Sequence, residues 1–170
     1  MHVLVAEDND VNVKVITMLM DKKIMGPSNY TMVITGNGAE ALTYLANPHN
    51  PRPDIFFLDM SMPVMGGPET LRCIRTQHPF VNNPYIQSIP IVMMLAHLMS
   101  GDRERWIQRG ANDVLPKPMR AQHLHQMLLR WTKREIAPSQ DGRFGPGYVR
   151  MRPVWGPIPL RKYQGPRSLL

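Results

Sequence analysis

Asp54-Ile55-Phe56-Phe57-Leu58-Asp59-Met60-Ser61-Met62-Pro63 decides the fold. Ile55 to Leu58 is an apolar run of strand length, and Pro63 followed by Gly66-Gly67 demands a loop directly after it. A buried strand therefore delivers a single carboxylate, Asp59, to the edge of a sheet. Burying an unpaired charge is costly or neutralises the group, so packing alone is a poor reason for an acid there. Asp59 either caps the following turn or serves a site, and the neighbouring elements decide between the two.

Before this strand, Val3-Leu4-Val5-Ala6 reads as another buried strand, and Glu7-Asp8-Asn9-Asp10 as the loop behind it. Val11, Val15, Ile16, Leu19 and Met20 recur at helical spacing. They predict an amphipathic helix capped by Asn9 or Asp10 and stopped by Gly26-Pro27. Thr31 to Thr35 is a second strand, and Asn37 caps a second helix that runs to about Ala46. After the organising strand, Glu69 to Gln77 is a third helix. His78 to Ser88, with two prolines and two asparagines, reads as a long inserted loop.

Ile89 to Ala96 is the fourth strand, with Pro90 tolerated at its start. Ser100 or Asp102 caps a fourth helix through Gln108, and Gly110 stands where a helix C-terminus favours glycine. Asp113-Val114-Leu115 is a short fifth strand ending at Pro116-Lys117-Pro118. Ala121 to Arg134 is the last helix, with Leu124, Leu128 and Trp131 inward. Five apolar strands alternating with five helices indicate an α/β fold, a doubly wound parallel sheet covered on both faces. Ligand sites in such sheets lie beyond the carboxyl ends of the strands. Glu7, Asp8, Asp59 and Lys117 all fall there, and their convergence selects the functional reading of Asp59.

Three carboxylates at one edge repel one another and call for a cation. Hard oxygen donors without nearby His or Cys suit magnesium (Mg2+) better than zinc. Lys117 adds a fixed positive charge, and magnesium with lysine is a pair that can neutralise a phosphoryl group. Asp59 could then act as a nucleophile and form an aspartyl phosphate. Read alone, Lys117 would be an ordinary surface lysine between two prolines.

The net charge of +7 divides unevenly along the 170 residues. From Ala137 onward five Arg and one Lys oppose one Asp, which leaves a net +2 on residues 1–136. The single cysteine, Cys73, excludes a disulfide framework and a Cys-rich zinc site. No run reaches membrane-spanning length, and the N-terminus turns acidic too early for a secretory signal. The expectation is a soluble intracellular protein, cytoplasmic with the nucleus also open. Residues 137–170 hold six Pro, five Gly and scattered aromatics without a period. This tail is expected to be disordered. Basic residues interleaved with aromatics could grip single-stranded nucleic acid, but nothing else in the chain points to such a partner.

The motifs Val3-Leu4-Val5-Ala6-Glu7-Asp8-Asn9, Leu58-Asp59-Met60-Ser61-Met62-Pro63-Val64-Met65-Gly66-Gly67, Ala96-His97-Leu98-Met99-Ser100-Gly101-Asp102-Arg103 and Leu115-Pro116-Lys117-Pro118 together resemble the receiver domain of two-component response regulators. The likeness is greatest to the receivers of fungal hybrid histidine kinases and covers roughly residues 2–134. It implies a flavodoxin-like five-stranded sheet of order 2-1-3-4-5, with a receiver domain over 1–136 and a tail over 137–170. It further implies that Asp59 is the phosphoacceptor, that Asp8 binds magnesium directly and Glu7 largely through water, and that Ser61 offers its backbone carbonyl to the metal. Lys117 would bridge to the phosphoryl group, and Lys117-Pro118 is a candidate cis peptide. The implied partner is a histidine kinase or a histidine phosphotransfer protein docking beside the first helix. No small-molecule ligand is expected, and the oligomeric state stays open. The chain shows no kinase core, ATP site or output domain, so it reads as a stand-alone receiver or a fragment of a hybrid kinase.

Two positions depart from that family. Leu95 stands where a Thr or Ser hydroxyl normally binds the phosphoryl oxygen, and Val114 where a Tyr or Phe ring normally swings inward. A charge-assisted hydrogen bond worth about 1.5–3 kcal/mol is thereby lost. Both switch positions lacking their usual groups, coupling should suffer more than chemistry. A pseudo-receiver, binding partners without phosphorylation, is the alternative reading. Gly66, where the family often has Asp, is a milder change.

Other matches are weaker. Asp8-Asn9-Asp10 is similar to the nucleophile loop of haloacid-dehalogenase phosphatases, but Asn12 stands where Thr or Val belongs. Asp8, Asp10 and Asn12 fit the start of an EF-hand loop, yet Val13 replaces its glycine and Leu19 its terminal Glu. A flavodoxin-type phosphate cradle would be repelled by Glu7-Asp8. His97, His123 and His125 lie in a loop or on different sides of a helix, and read as solvated or capping residues.

Overall fold

The computed structural model describes residues 1–21 and 30–132. Two units make up the chain, Met1–Lys133 and Arg134–Leu170, and every described element lies in the first. The elements run β1 His2–Ala6, α1 Asp10–Leu19, β2 Thr31–Thr35, α2 Gly38–Ala46, β3 Ile55–Asp59 and α3 Gly67–Thr76. They continue with α4 Pro84–Gln87, β4 Ile91–Leu95, α5 Asp102–Gln108, β5 Asp113–Pro116 and α6 Ala121–Thr132. The strands form one sheet in the order β2-β1-β3-β4-β5, with every neighbouring pair parallel. This is the flavodoxin-like arrangement.

Strand alternation divides the core between the two faces. Leu4, Phe56, Leu58, Ile91, Met93 and Leu95 pack with Ala41, Leu71, Ile74 and Trp106 from α2, α3 and α5. Val3, Val5, Ile55, Phe57, Val92 and Met94 pack with Ile16, Leu19, Leu124 and Leu128 from α1 and α6. Both faces are covered, which is why β3 and β4 are apolar at consecutive positions and buried throughout.

Among the described residues six α-helices are present where the sequence suggested five. The stretch read as an inserted loop folds into a 3-10 turn, Phe80–Asn82, and the one-turn α4. Asn83 caps α4, its side chain accepting from the Tyr85 and Ile86 amides, while Pro84 fills the first turn. The segment buries Phe80, Ile86 and Ile89 against the α3 face. Arg75 ties it down: its guanidinium donates to the carbonyls of Gln87, Ile89 and Gly110 and to Asn112 Oδ1. Burial pushes the Arg75 guanidinium down to about 10.

Three further details differ from expectation. Val11 is not inward but 66% exposed, because the buried stripe of α1 begins only at Val15 and Ile16. Neither Ser100 nor Asp102 is the N-cap of α5. Gly101 takes that place with φ 86, and Asp102 Oδ2 accepts instead from the Met99 amide. Trp131 is partly rather than fully buried. Asn9 caps α1, and Gly110 has φ 100 behind α5. The helix stop at Gly26-Pro27 and the tail from Ala137 lie outside the described residues.

Candidate functional site

All strands point the same way, so their carboxyl ends share one edge, and the loops there carry the charged residues. Glu7 follows β1 directly, its amide held by the Thr35 carbonyl at 3.0 Å. Asp59 closes β3, and the next amide, Met60, is fixed by the Met94 carbonyl at 3.1 Å. Lys117 follows β5, with its amide on the Leu95 carbonyl at 2.8 Å. Three strand-to-strand bonds thus set the positions from which the side chains start. The Lys117-Pro118 peptide is cis, as the resemblance implied, and so is His78-Pro79.

From those positions the side chains meet. Lys117 Nζ lies 2.7 Å from Glu7 Oε2 and 2.7 Å from Asp59 Oδ1. Glu7 and Asp59 are 3% and 5% exposed, whereas Asp8 faces solvent. One carboxylate oxygen each from Glu7, Asp8 and Asp59 lie within 4.8 Å of one another. The second Glu7 oxygen is pinned by the Asn12 amide group at 2.9 Å and the Asn9 backbone amide at 3.3 Å. Glu7 Oε2 is buried and accepts no directed hydrogen bond; the ion pair with Lys117 is its contact.

The charges decide what fits. Three carboxylates against one ammonium leave two negative charges in a small volume, which one divalent cation would cancel. Oxygen-only donors and an open side at Asp8 suit magnesium, which keeps part of its water shell, and do not suit zinc. Ser61 is exposed and lines the same cleft as Asp59 and Lys117.

Glycine lets α3 approach the acid. A Cβ on Gly67 would stand 2.3 Å from the Asp59 carbonyl oxygen, so only glycine permits this contact. Leu95 and Val114 differ in placement. Leu95, 2% exposed, lines the cleft with a side chain that has no polar atom. Val114 is buried in the same apolar cluster without lining the cleft. His97 lines the cleft from an exposed loop, and Glu7, Asp8 and Asp59 are the group of acids among the described residues that could hold a metal ion.

Sequence reasoning missed Asn12 as the holder of Glu7, because the bond crosses from loop to helix over five positions. It also missed Trp106, Arg105 and Arg109, which line the cleft. Their only signal was an apolar residue flanked by arginines on a short helix.

Residues 3–129 match the family described as response regulator receiver domain. Hybrid signal transduction histidine kinase I of Dictyostelium discoideum is 30% identical over 128 residues, which are 74% of this chain and 7% of that protein. Polar-differentiation response regulator DivK of Brucella anthropi is 32% identical over 117 residues, covering 69% of this chain and 84% of DivK. The chain therefore spans most of a small relative and a small fraction of a large one. Among solved structures, the receiver domain of sensor histidine kinase PA1611 from Pseudomonas aeruginosa PAO1 superposes with a TM-score of 0.62 at 30% identity, covering 77% of this chain and 96% of that one. That structure holds a magnesium ion coordinated in its active site cleft. Among the described residues, no helix is long and apolar enough to cross a membrane.

Proposed function

The chain belongs to the response regulator receiver domain family, and on that premise we propose that it accepts a phosphoryl group on Asp59 from a phosphohistidine of a partner protein. The observation that carries this reading is the Lys117 ammonium 2.7 Å from both Glu7 and Asp59, beside the exposed carboxylate of Asp8. Lys117 engages Asp59 Oδ1, which leaves Oδ2 to attack the phosphorus in line with the departing imidazole nitrogen. A P–O bond forms as the P–N bond breaks, and the imidazole keeps the electron pair and takes up a proton. The aspartate becomes an acyl phosphate without loss of atoms from the protein.

Lys117 follows the negative charge from the carboxylate to the phosphoryl oxygens, where a fixed ammonium needs no reorganisation. Asp8, Glu7, Asp59 and the Ser61 carbonyl would hold magnesium, which when bound supplies a second positive charge to the phosphoryl group. Asn12 keeps Glu7 turned toward Lys117. The donor, a histidine kinase or histidine phosphotransfer protein, would dock beside α1, where Val11 is 66% and Met18 48% exposed. Val11 at the start of α1 and Met18 about two turns further along support a contact surface on that helix.

One observation favours a second reading. Leu95 lines the cleft with no hydroxyl to bind a phosphoryl oxygen, as a pseudo-receiver that only binds partners would tolerate. Acetyl phosphate with magnesium separates the two. The phosphoacceptor reading expects an acid-stable, base-labile phosphoryl adduct by intact mass, absent in Asp59→Asn. No adduct, with partner binding unchanged in that variant, would leave the pseudo-receiver.

A further inference from the structure

A groove runs between α3 and α5 and ends at the acid cluster. Its first hollow, about 500 Å³, has Asp59 and Lys117 at one end and an apolar floor of Leu95 and Trp106. Leu95 and Trp106 are 2% and 3% exposed and form the base, while Met60 and Met99, 40% and 72% exposed, supply the apolar surface an occupant would reach in the same hollow. Pro68 and Arg109 border this hollow and also a second one, about 470 Å³, which continues along α3 over Leu71 and Arg72. The two form one trough, far longer than a phosphoryl group or metal ion requires.

Its rim is basic. Arg72 meets Glu69 only loosely, at 3.8 Å, and Arg105 meets Asp102 at 3.2 Å. Arg109 has no ion pair among the described residues; its guanidinium lies 5.0 Å from the Trp106 ring centroid. An apolar floor flanked by three exposed arginines matches an apolar stripe flanked by carboxylates. A second copy of this chain is the wrong occupant, since it carries +7 overall and its dense acidic run, Glu7-Asp8-Asn9-Asp10, belongs to the site.

We propose that this trough docks an acidic amphipathic segment of a partner protein, with apolar side chains on Met60 and Met99 and carboxylates on Arg105, Arg109 and Arg72. Because Asp59 stands at the end of the trough, its charge acts directly on the occupant. A phosphoryl group there would add negative charge and weaken docking, with no relay through a hydroxyl and an aromatic ring. That consequence rests on the phosphoacceptor reading; the docking itself does not.

The test is titration of the ¹⁵N-labelled full chain with a synthetic peptide of Glu and Leu at helical spacing, against its Lys-and-Leu counterpart. The expected result is saturable shifts centred on Leu95, Trp106, including its indole N–H, and Arg109, with the acidic peptide alone. Arg109→Glu and Arg72→Glu each weaken binding several-fold, with the remaining spectrum reporting an intact fold. Asp59→Asn tightens binding several-fold, because a negative charge leaves the end of the trough. No saturation, an equal response to the lysine peptide, shifts confined to α1, or self-association in place of binding would each overturn the proposal. The acetyl phosphate assay fails separately. Docking without an adduct removes only the phosphoacceptor reading, and an adduct without docking removes only this one.

Discussion

Magnesium should stabilise this chain, and the gain follows from the charges of the site. Glu7 and Asp59 share one ammonium at 2.7 Å, and Asp8 stands within 4.8 Å of both with no cation of its own. A ligand that binds only the folded state stabilises it by RT ln(1 + [L]/Kd), about 2.7 kcal/mol at one hundred times Kd. For a domain of this size that corresponds to a rise in Tm on the order of 10 °C. The assay is thermal unfolding of the full chain, followed by far-ultraviolet circular dichroism, with excess EDTA and then with rising magnesium. Asp8→Asn should abolish most of the magnesium response while leaving the melting in EDTA unchanged or slightly higher, since a repelling charge is gone. Asp59→Asn should reduce the response in the same direction. Identical melting with EDTA and with saturating magnesium would rule out a cation site at these acids, and so would a full response in Asp8→Asn.

Gly67→Ala would drive a Cβ to 2.3 Å from the Asp59 carbonyl oxygen, a backbone atom that cannot step aside. A loss of about 1–3 kcal/mol is expected from denaturant midpoints, with phosphorylation impaired as α3 moves off β3. Burial holds His2 below its ordinary value, against the opposing pull of Asp54. Its ring lies 2.6 Å from Thr31 Oγ1 and 2.7 Å from the Tyr44 hydroxyl. The unfolded chain therefore takes up this proton first, so stability should fall as pH drops from about 6.5 toward the lower folded value and level off beneath it. His2→Gln should flatten that part of the urea-midpoint profile between about pH 7.5 and 5. Leu95→Thr should enlarge any phosphorylation-dependent change in partner affinity, measured by calorimetry with and without acetyl phosphate; parity with the parent chain would remove the role assigned to the missing hydroxyl.

The sheet and its acid edge were legible because the physics of a doubly covered parallel sheet is written plainly. β1, β3 and β4 carry consecutive apolar residues because both faces are covered, so a charge at their carboxyl ends marks where packing gives way to a site, and parallel strands bring those ends to one side. Glu7, Asp8, Asp59 and Lys117 could therefore be placed together before any distance was known. α4 was not legible, since a single turn has no period to detect; its signal was the Asn83-Pro84 cap alone. Val11 fits the helical spacing of α1 but precedes the turn that packs, and periodicity says nothing about where a helix leaves its neighbour. Asp102 was misread as a cap because Gly101, free to adopt φ 86, takes the turn one residue earlier.

The far side of the site explains why a charge effect is the more plausible route for any signal. Asp113 opens β5 at 1% exposure, and its Oδ1 accepts from Arg103 Nε at 2.9 Å and the Val114 amide at 3.0 Å. Its Oδ2 accepts from Arg130 Nη1 at 2.8 Å and Trp131 Nε1 at 3.3 Å. α5, β5 and α6 are thus fastened to one buried carboxylate. Arg103 and Arg130 are 43% and 50% exposed, so water screens these pairs, but a displacement of α5 against β5 that broke the cluster would leave the buried Asp113 carboxylate short of its donors. Leu95 and Val114 offer a phosphoryl group nothing to pull on, for neither side chain has a polar atom. That half of the domain is therefore latched, and the Lys117 ammonium is its ion-pair contact with Asp59 among the described residues. A negative charge gained at the end of the α3–α5 trough needs no such movement, because it changes the potential at Arg105 and Arg109 across the cleft they share with Asp59.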